Sequence, residues 1–338
     1  VLEKTDPQRP AAAIDLSIVI VNWNVCELLR RCLHSILDHA VPETKLPGVW
    51  RLESPSWPTY RVELLVIDSA SSDDSVAMVR HEFPAVRLYA SETNVGYTGG
   101  NNLGIRESRG RYVLVLNPDT EVLGDALSAM VAYMERHSDV GVLGPQLLWP
   151  DGGIQSSRRS FPSLKTAWIE STFLQKRCPD HPVLRRYYLE DTPDDAIGQV
   201  DWVLGACLMV RRAVIEQVGG FDDTFFMYSE ELDWQKRIKA AGWKIVYYPQ
   251  ARIVHYEGKS SEQVGALTHI RFQRSKVHYF RKYHGSLAAH LVKSWLMFHY
   301  VHEWVVEALK WCLGHKRALR RERMGIYWQV LRSGLRDR

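Results

Sequence analysis

Leu16-Ser-Ile-Val-Ile-Val21 is apolar without alternation and rich in β-branched residues, the composition of a strand covered on both faces within a parallel sheet. Working outward from it, Cys26 to Leu37 sets Leu29, Leu33, Ile36 and Leu37 at helical spacing. Val62 to Ile67 (VELLVI) repeats the buried-strand pattern and ends in Asp68, after which Ser72 and Asp73 offer caps for a helix to His81. A strand over Val86 to Tyr89, a helix over Asn101 to Ser108, a strand over Tyr112 to Leu116 (YVLVL), a helix over Gly124 to His137 and a short strand over Val140 to Leu143 continue the series. This alternation predicts an α/β layer with right-handed crossovers. In such sheets ligands sit outside the carboxyl ends of the strands, and those ends carry Asn22, Asp68 and Asn117-Pro118-Asp119.

Composition narrows the class. The chain has 338 residues, 24% charged and 46% hydrophobic, which excludes a disordered or fibrous protein. Five cysteines without a C-x-x-C pair disfavour a disulfide framework or a Cys-rich zinc site and fit a reducing compartment. Residues 1–15 read as a flexible, polar start with no secretory pattern. No run of about 18 uninterrupted apolar residues suggests a spanning helix. Residues 271–338 hold 15 Lys and Arg against 4 Asp and Glu, a net charge of +11; since the whole chain is +4, the first 270 residues carry −7. An acidic body with a basic tail points to an anionic partner for the tail.

Later segments are less regular. His39 to Tyr60 contains Pro42, Pro47, Pro55 and Pro58 and reads as a long irregular surface insertion. Pro179 to Ile197 is polar and reads as a mobile loop. Val200 to Val210 is strand-like, Arg211 to Gln217 a short helix, Glu230 to Ala241 a helix, and Lys244 to Tyr247 and Arg252 to Tyr256 two short strands. In Leu287 to Leu313 a narrow polar stripe (His299, Glu303, Glu307, Lys310, His315) interrupts an apolar sequence with Trp295, Phe298, Trp304 and Trp311; Lys316, Arg317, Arg320, Arg321 and Arg323 follow. The stretch is either a helix packed on its own domain or on a second copy, as in a homodimer, or a membrane-interfacial helix with arginines on lipid phosphates.

Four groups carry chemistry. Asp119, after a buried strand, is either a turn residue or a carboxylate that holds magnesium or manganese against a diphosphate. Glu230 and Glu231 are either the solvated first turn of a helix or a mutually perturbed pair fit for general-base work, given Phe225, Phe226, Tyr228 and Trp234 around them. His255 is either structural or a nitrogen ligand to the same cation. The glycine-rich stretch Asn94 to Gly104 lets backbone approach a ligand or another element closely. It is neither G-x-G-x-x-G after the first strand nor a P-loop, which removes the main support for dinucleotide oxidoreductases and P-loop NTPases.

Taken in order, Leu16-Ser-Ile-Val-Ile-Val-Asn22, Val66-Ile-Asp68-Ser-Ala-Ser-Ser-Asp73-Asp-Ser75, Asn94-x-Gly96-Tyr97 with Gly100-Asn101-Asn102-x-Gly104, Leu116-Asn-Pro-Asp119 and Phe225-Phe-Met-Tyr-Ser-Glu-Glu231-Leu-Asp-Trp234 resemble the family-2 inverting glycosyltransferases, and most of all their rhamnosyltransferase-like branch. The resemblance spans Leu16 to Gly258. It implies a GT-A fold over residues 16–258, with a nucleotide-sugar half (16–145) and an acceptor half (146–258), followed by C-terminal amphipathic, basic helices over 259–338. It implies that Asp68 reads the donor pyrimidine beside Asn22, with Asn94, Gly96, Asn102 and Asn117 also around the nucleotide. Asn117-Pro118-Asp119 occupies the place of the D-x-D metal motif with asparagine for the first aspartate, so Asp119, with His255, would hold Mn2+ or Mg2+. Glu231 falls on the catalytic-base position with Glu230 supporting it. Trp202, Gly205, Ala206 and Trp234 fall on the acceptor side.

The implied substrates are a nucleotide-diphosphate sugar, thymidine-diphosphate L-rhamnose first, and a glycan or polyprenyl-diphosphate-linked acceptor in cell-surface polysaccharide synthesis. The implied location is cytoplasmic, peripheral on the inner face of the membrane, with no nucleic acid partner. The alternatives are a uridine-diphosphate hexose or N-acetylhexosamine transferase of the same family, or a catalytically silent relative that binds membrane or nucleic acid through its tail.

Overall fold

The structure, a computed structural model, describes residues 14–257 and 265–336. The start over residues 1–13 and the expected boundary at 258 therefore lie outside the described residues. The first strand, β1 (Leu16–Asn22), is buried along its whole length and leads into α1 (Cys26–Leu37). The segment between His39 and Tyr60 is not irregular: β2 (Ala40–Pro42) and β3 (Val49–Leu52) form a hairpin whose second strand pairs with β4 (Tyr60–Asp68). Its prolines fall at the end of β2 and between strands, where no ladder N–H is needed, and Trp50 and Leu52 enter the core.

Next come α2 (Ser75–Glu82), β5 (Arg87–Ala90) and α3 (Gly96–Glu107), then β6 (Tyr112–Leu116), β7 (Thr120–Val122) and α4 (Ala126–Arg136). Helix α3 begins five residues before the sequence-based start at Asn101, taking in the glycine-rich stretch. Those glycines seat the helix on β1: a Cβ on Gly104 would lie 2.2 Å from Val19 Cγ1. β8 (Val140–Leu148) runs five residues beyond the short strand expected, and β9 (Ile154–Gln155), β10 (Arg158–Arg159), α5 (Leu164–Ile169) and α6 (Phe173–Arg177) follow. The polar stretch 179–197 is not all loop, because Pro182, at a first-turn position, opens α7 (Pro182–Tyr188).

The chain continues through β11 (Gly198–Gln199), β12 (Trp202–Val203), β13 (Cys207–Arg211), α8 (Arg212–Val218) and α9 (Glu230–Ala240). The two short strands expected after it are one, β14 (Lys244–His255), whose register shifts between Tyr248 and Arg252 around Pro249. Helix α10 (Ala266–Cys312) breaks at Gly285 (φ 83°, ψ 172°) and is followed by α11 (Arg317–Ser333).

Among the described residues, twelve strands form one mixed sheet with the path β11-β14-β8-β13-β6-β1-β4-β3-β2. β1 lies parallel to β4 and β6, and β4 to β5, the doubly wound centre expected from the sequence. β13 joins antiparallel to β6 and extends the sheet into the second half of the chain. A separate ribbon of β10 and β12 stands beside it. Two apolar clusters cover the two faces of the sheet. A third joins Ala167 of α5, Trp202 of β12 and Leu232 of α9 to Val277, Phe280, Leu296 and Tyr300 of α10. The first half of α10 thus packs with the elements that carry the site. None of the described helices is long and apolar enough to cross a membrane.

Candidate active site

The carboxyl ends of β1 and β4 meet in register at Asn22 and Asp68. The Asn22 amide donates to Asp68 Oδ1 at 2.9 Å, and Ser71 donates to the same carboxylate through its main chain (2.9 Å) and hydroxyl (2.6 Å). Val21, Trp23 and Ser69, chain neighbours of Asn22 and Asp68, line a cleft of about 510 Å³. Neither residue is itself among the cleft lining; Ser69, Asn94 and Gly96 are. Asn94 Oδ1 accepts from the Gly96 N–H at 2.9 Å, and the Phe226 ring stands 2.7 Å from where a Gly96 Cβ would be.

Asn117, Pro118 and Asp119 follow β6 into the cleft. Strand β14 pairs with β7 so that His255 stands opposite Thr120, and the Tyr256 N–H donates to the Asp119 carbonyl at 2.9 Å. That pairing brings His255 Nε2 to 3.5 Å from Asp119 Oδ1, both residues being buried. Gln155 Nε2 donates to Glu257 at 2.7 Å, which turns Gln155 Oε1 toward His255 Nδ1 at 2.9 Å. His255 Nδ1 is then the donor, and Nε2 faces a carboxylate oxygen that has no hydrogen-bond partner. A carboxylate oxygen and an imidazole nitrogen thus stand together in a buried pocket, the two kinds of donor that a cation site uses. A divalent ion that keeps phosphate or water oxygens in its remaining positions fits this donor set. Among the described residues no third carboxylate, histidine or cysteine joins them.

Glu230 and Glu231 open α9 and line the same cleft. They are delivered by two consecutive left-handed residues, Tyr228 (φ 71°) and Ser229 (φ 64°). Non-glycine residues in that region carry about 1–3 kcal/mol of strain each. The helix is pinned by Gln235, whose amide exchanges two 2.8 Å bonds with the Val203 main chain and donates to the Glu231 carbonyl at 3.0 Å. Burial, then the Glu231 charge, pushes the Glu230 carboxyl well above its ordinary pKa. Burial raises Glu231 too, opposed by main-chain N–H groups including that of Gly205. One Oε of each has no partner. Tyr97, whose hydroxyl donates to the Gly205 carbonyl at 2.8 Å, is raised by burial and by these same carboxylates.

The opposing wall was not legible beforehand. Arg159 of β10, Glu170 after α5, Tyr187 and Tyr188 of α7, and Phe272 and Lys276 of α10 all line the cleft. Lys276 Nζ lies 2.5 Å from Glu170 Oε2. Burial pushes the Glu170 carboxyl up, but Lys276 and the Ser171 hydroxyl outweigh it and hold it below the ordinary value.

Residues 17–219 match the family model described as Glycosyl transferase family 2. The chain belongs to glycosyl transferase family 2. It is 33% identical over 222 residues to the N-acetylglucosaminyl-diphospho-decaprenol L-rhamnosyltransferase of Mycobacterium tuberculosis, an alignment covering 62% of this chain and 72% of that one. It is 29% identical over 178 residues to the rhamnosyltransferase WbbL of Escherichia coli K12, covering 50% of this chain and 63% of that one. A solved structure of GalNAc-T7 with UDP, GalNAc and Mn2+ superposes with a TM-score of 0.53 at 15% identity, over 80% of this chain and 48% of that one. The fold is GT-A with an added C-terminal helical segment, and the protein is a glycosyltransferase.

Within this family 2 transferase the cleft gathers Asn94, Gly96, Asn117, Asp119, Trp202, Gly205, Ala206, Glu230, Glu231 and His255 from five separate stretches of chain. Asn102 is not among the lining residues: its amide donates to the Phe221 carbonyl and accepts from the Phe221 N–H, clamping α3 to the segment after α8. Trp234 is fully buried against Phe221, with its indole N–H on the Gly219 carbonyl. Its place in the motif reflects core packing.

Proposed function

We propose that this protein is an inverting, metal-dependent glycosyltransferase that moves L-rhamnose from a nucleoside diphosphate to a hydroxyl of a lipid-linked glycan. The observation that carries the reading is the meeting of two carboxylate sites in one cleft: Asp119 with His255, and Glu230 with Glu231. A divalent cation held by Asp119 and His255 would supply charge neutralisation for the departing diphosphate. Glu231, exposed to the cleft and raised toward neutrality, takes the proton of the acceptor hydroxyl as that oxygen attacks the anomeric carbon from the face away from the leaving group. The transition state has oxocarbenium character and a single displacement inverts the centre. Glu230, its carboxyl pushed well above the ordinary value by burial and by the Glu231 charge, resists ionising together with Glu231. Asp68 and Asn22, at the strand ends beneath the cleft, are the pair we assign to the nucleotide base. Trp202, Gly205 and Ala206 are assigned to the acceptor. The rhamnosyl choice rests on the two relatives named above.

The outer side of α10 supports attachment to an anionic membrane surface. Leu287, Leu291, Phe298, Val301, Val305 and Leu309 are exposed. The polar stripe turns inward instead, with Glu303 on Lys176 at 3.2 Å and Glu307 on Arg320 at 2.8 Å. Lys316, Arg317, Arg321 and Arg323 stand exposed beside the apolar face. Such a cluster repels itself across a twofold dimer and is attracted to lipid phosphates.

Purified protein with thymidine-diphosphate rhamnose, Mn2+ and a synthetic prenyl-diphosphate N-acetylglucosamine tests the activity, with product stereochemistry read by NMR. Rhamnosyl transfer with inversion, abolished by EDTA, is the expected result. Transfer from uridine-diphosphate hexoses alone would discard rhamnose and keep the mechanism. Binding of no nucleotide sugar by the folded protein would leave the silent membrane-binding relative.

A further inference from the structure

Two neighbouring arginines on β10 have opposite engagements. Arg158 is buried, donates to the Pro193 and Thr192 carbonyls and pairs with Asp194 at 2.8 Å. Arg159 turns into the cleft. Its Nη1 donates to Ser156 Oγ at 2.8 Å and to the Arg158 carbonyl at 2.9 Å, and its guanidinium lies 4.6 Å from the centre of the Tyr188 ring. No carboxylate of the described residues forms an ion pair with it; Glu170 and Glu257 act on it through space only, and Glu170 is matched by Lys276. Burial lowers the Arg159 pKa from the ordinary arginine value. A half-buried guanidinium that lines the cleft with N–H donors left over suits an anion, and its planar fork matches phosphate oxygens.

Two anions would meet in the proposed reaction: the donor diphosphate and the phosphate of a lipid-linked acceptor. The first belongs at the parallel strand ends near Asp119 and His255. Arg159 stands on the separate β10–β12 ribbon with Trp202, and Tyr187, Tyr188, Phe272 and Lys276 complete an aromatic and cationic wall there. The wall continues outward through α5. Ala167 lines the cleft, while the next residue, Trp168, is 46% exposed with its ring 6.0 Å from that of Trp295. Trp295 adjoins exposed Phe298 at 5.6 Å, on the apolar outer side of α10.

We propose that Arg159 anchors a second anion subsite that takes the acceptor's phosphate or diphosphate, the attached lipid leaving the cleft across Trp168 and Trp295. This assignment rests on the lipid-linked acceptor of the proposed function. The test is calorimetric titration of geranyl diphosphate into the full-length protein already saturated with thymidine diphosphate and Mn2+. A second, one-to-one binding event is expected, weakened at least tenfold by Arg159→Gln and less by Arg159→Lys, with nucleotide affinity unchanged in both variants. No second event in the wild type, or an Arg159→Gln titration equal to the wild type's, overturns the subsite. Loss of nucleotide affinity in Arg159→Gln would give the guanidinium to the donor diphosphate and likewise overturn it. Inorganic pyrophosphate binding as tightly as geranyl diphosphate would strike out the tryptophan track. A second event that persists while rhamnosyl transfer fails would support the subsite and break the donor assignment, so the two failures are separable. If thymidine diphosphate does not bind, the same Arg159→Gln criterion applies without it.

Discussion

Glu231 shares its burial with Glu230, and two carboxyls in one apolar pocket resist ionising together. Replacing Glu231 by Gln keeps the shape and removes the base. Transfer should fall by at least about a hundredfold while thymidine-diphosphate affinity, measured by calorimetry, stays within twofold; loss of nucleotide binding would contradict the assignment. The base must be ionised to act, so kcat/KM should rise with pH through a limb lying above the ordinary carboxylate range. The raised pKa of Glu230 also has a stability consequence. Between the unfolded carboxyl's ordinary pKa and the higher folded value, the native state holds a proton that the unfolded chain has released. Stability therefore falls as pH rises through that window and is unaffected below it. Each pH unit of the window is worth about 1.4 kcal/mol. Glu230→Gln should accordingly raise Tm relative to wild type at pH 8 and leave it unchanged at pH 4. A lower Tm at pH 8 would mean that the ionised carboxylate is favourably held.

Helix α3 lies on β1 closely enough that Gly104 has no room for a methyl group, since its Cβ would meet Val19 Cγ1 at 2.2 Å. Gly104→Ala should destabilise the protein by about 1–3 kcal/mol through overpacking, read as a lower urea midpoint with an unchanged m-value. An unaltered midpoint would show that the helix can slide on the sheet. Elements whose signal is local were legible from sequence: α1 and β6 fall on the expected residues because a helical apolar stripe and a β-branched run declare themselves. The hairpin of β2 and β3 did not, because four prolines mask two strands whose stability comes from pairing onto β4. β14 read as two strands because Pro249 interrupts the pattern while its neighbours keep pairing with β8. Both members of the metal-fitting pair were named from the sequence through the family resemblance, but the contact that joins them was not. Asp119 has a motif, while His255 reaches it only through the β14–β7 pairing and is oriented by Gln155, a residue with no sequence signal. Arg159 and the two α7 tyrosines were illegible because the wall they share with α10 is assembled from distant stretches of chain.

The whole molecule has a charge axis, an acidic body and a basic end, and the helices at that end are turned with their apolar residues outward. The sequence left the packing of α10 open, its narrow polar stripe fitting a helix packed on its own domain or on a second copy as well as a membrane-interfacial one. In the structure the Glu303 and Glu307 side of the stripe faces inward, where Lys176 of α6 and Arg320 of α11 meet them. His299 fits the same buried seam: burial pushes its pKa down to about 4, and its Nδ1 accepts the Phe173 N–H at 3.2 Å. Deleting the chain after Tyr283 would strip Val292, Leu296 and Tyr300 from the apolar cluster they share with α5 and β12, so substitution on the outer face is the sharper probe. Leu291, Phe298 and Leu309, all exposed, should be replaceable by Gln together with little loss of Tm. Wild type should sediment with vesicles containing phosphatidylglycerol, and the triple variant should lose most of that binding while keeping its kcat on a short-chain acceptor in detergent. Raising salt should weaken wild-type binding without abolishing it, because the arginines act through screened charge and the leucines do not. A variant that still binds vesicles would remove α10 from the membrane contact. A wild type that sediments as a dimer and a variant that sediments as a monomer would assign the apolar face to a second copy of the chain.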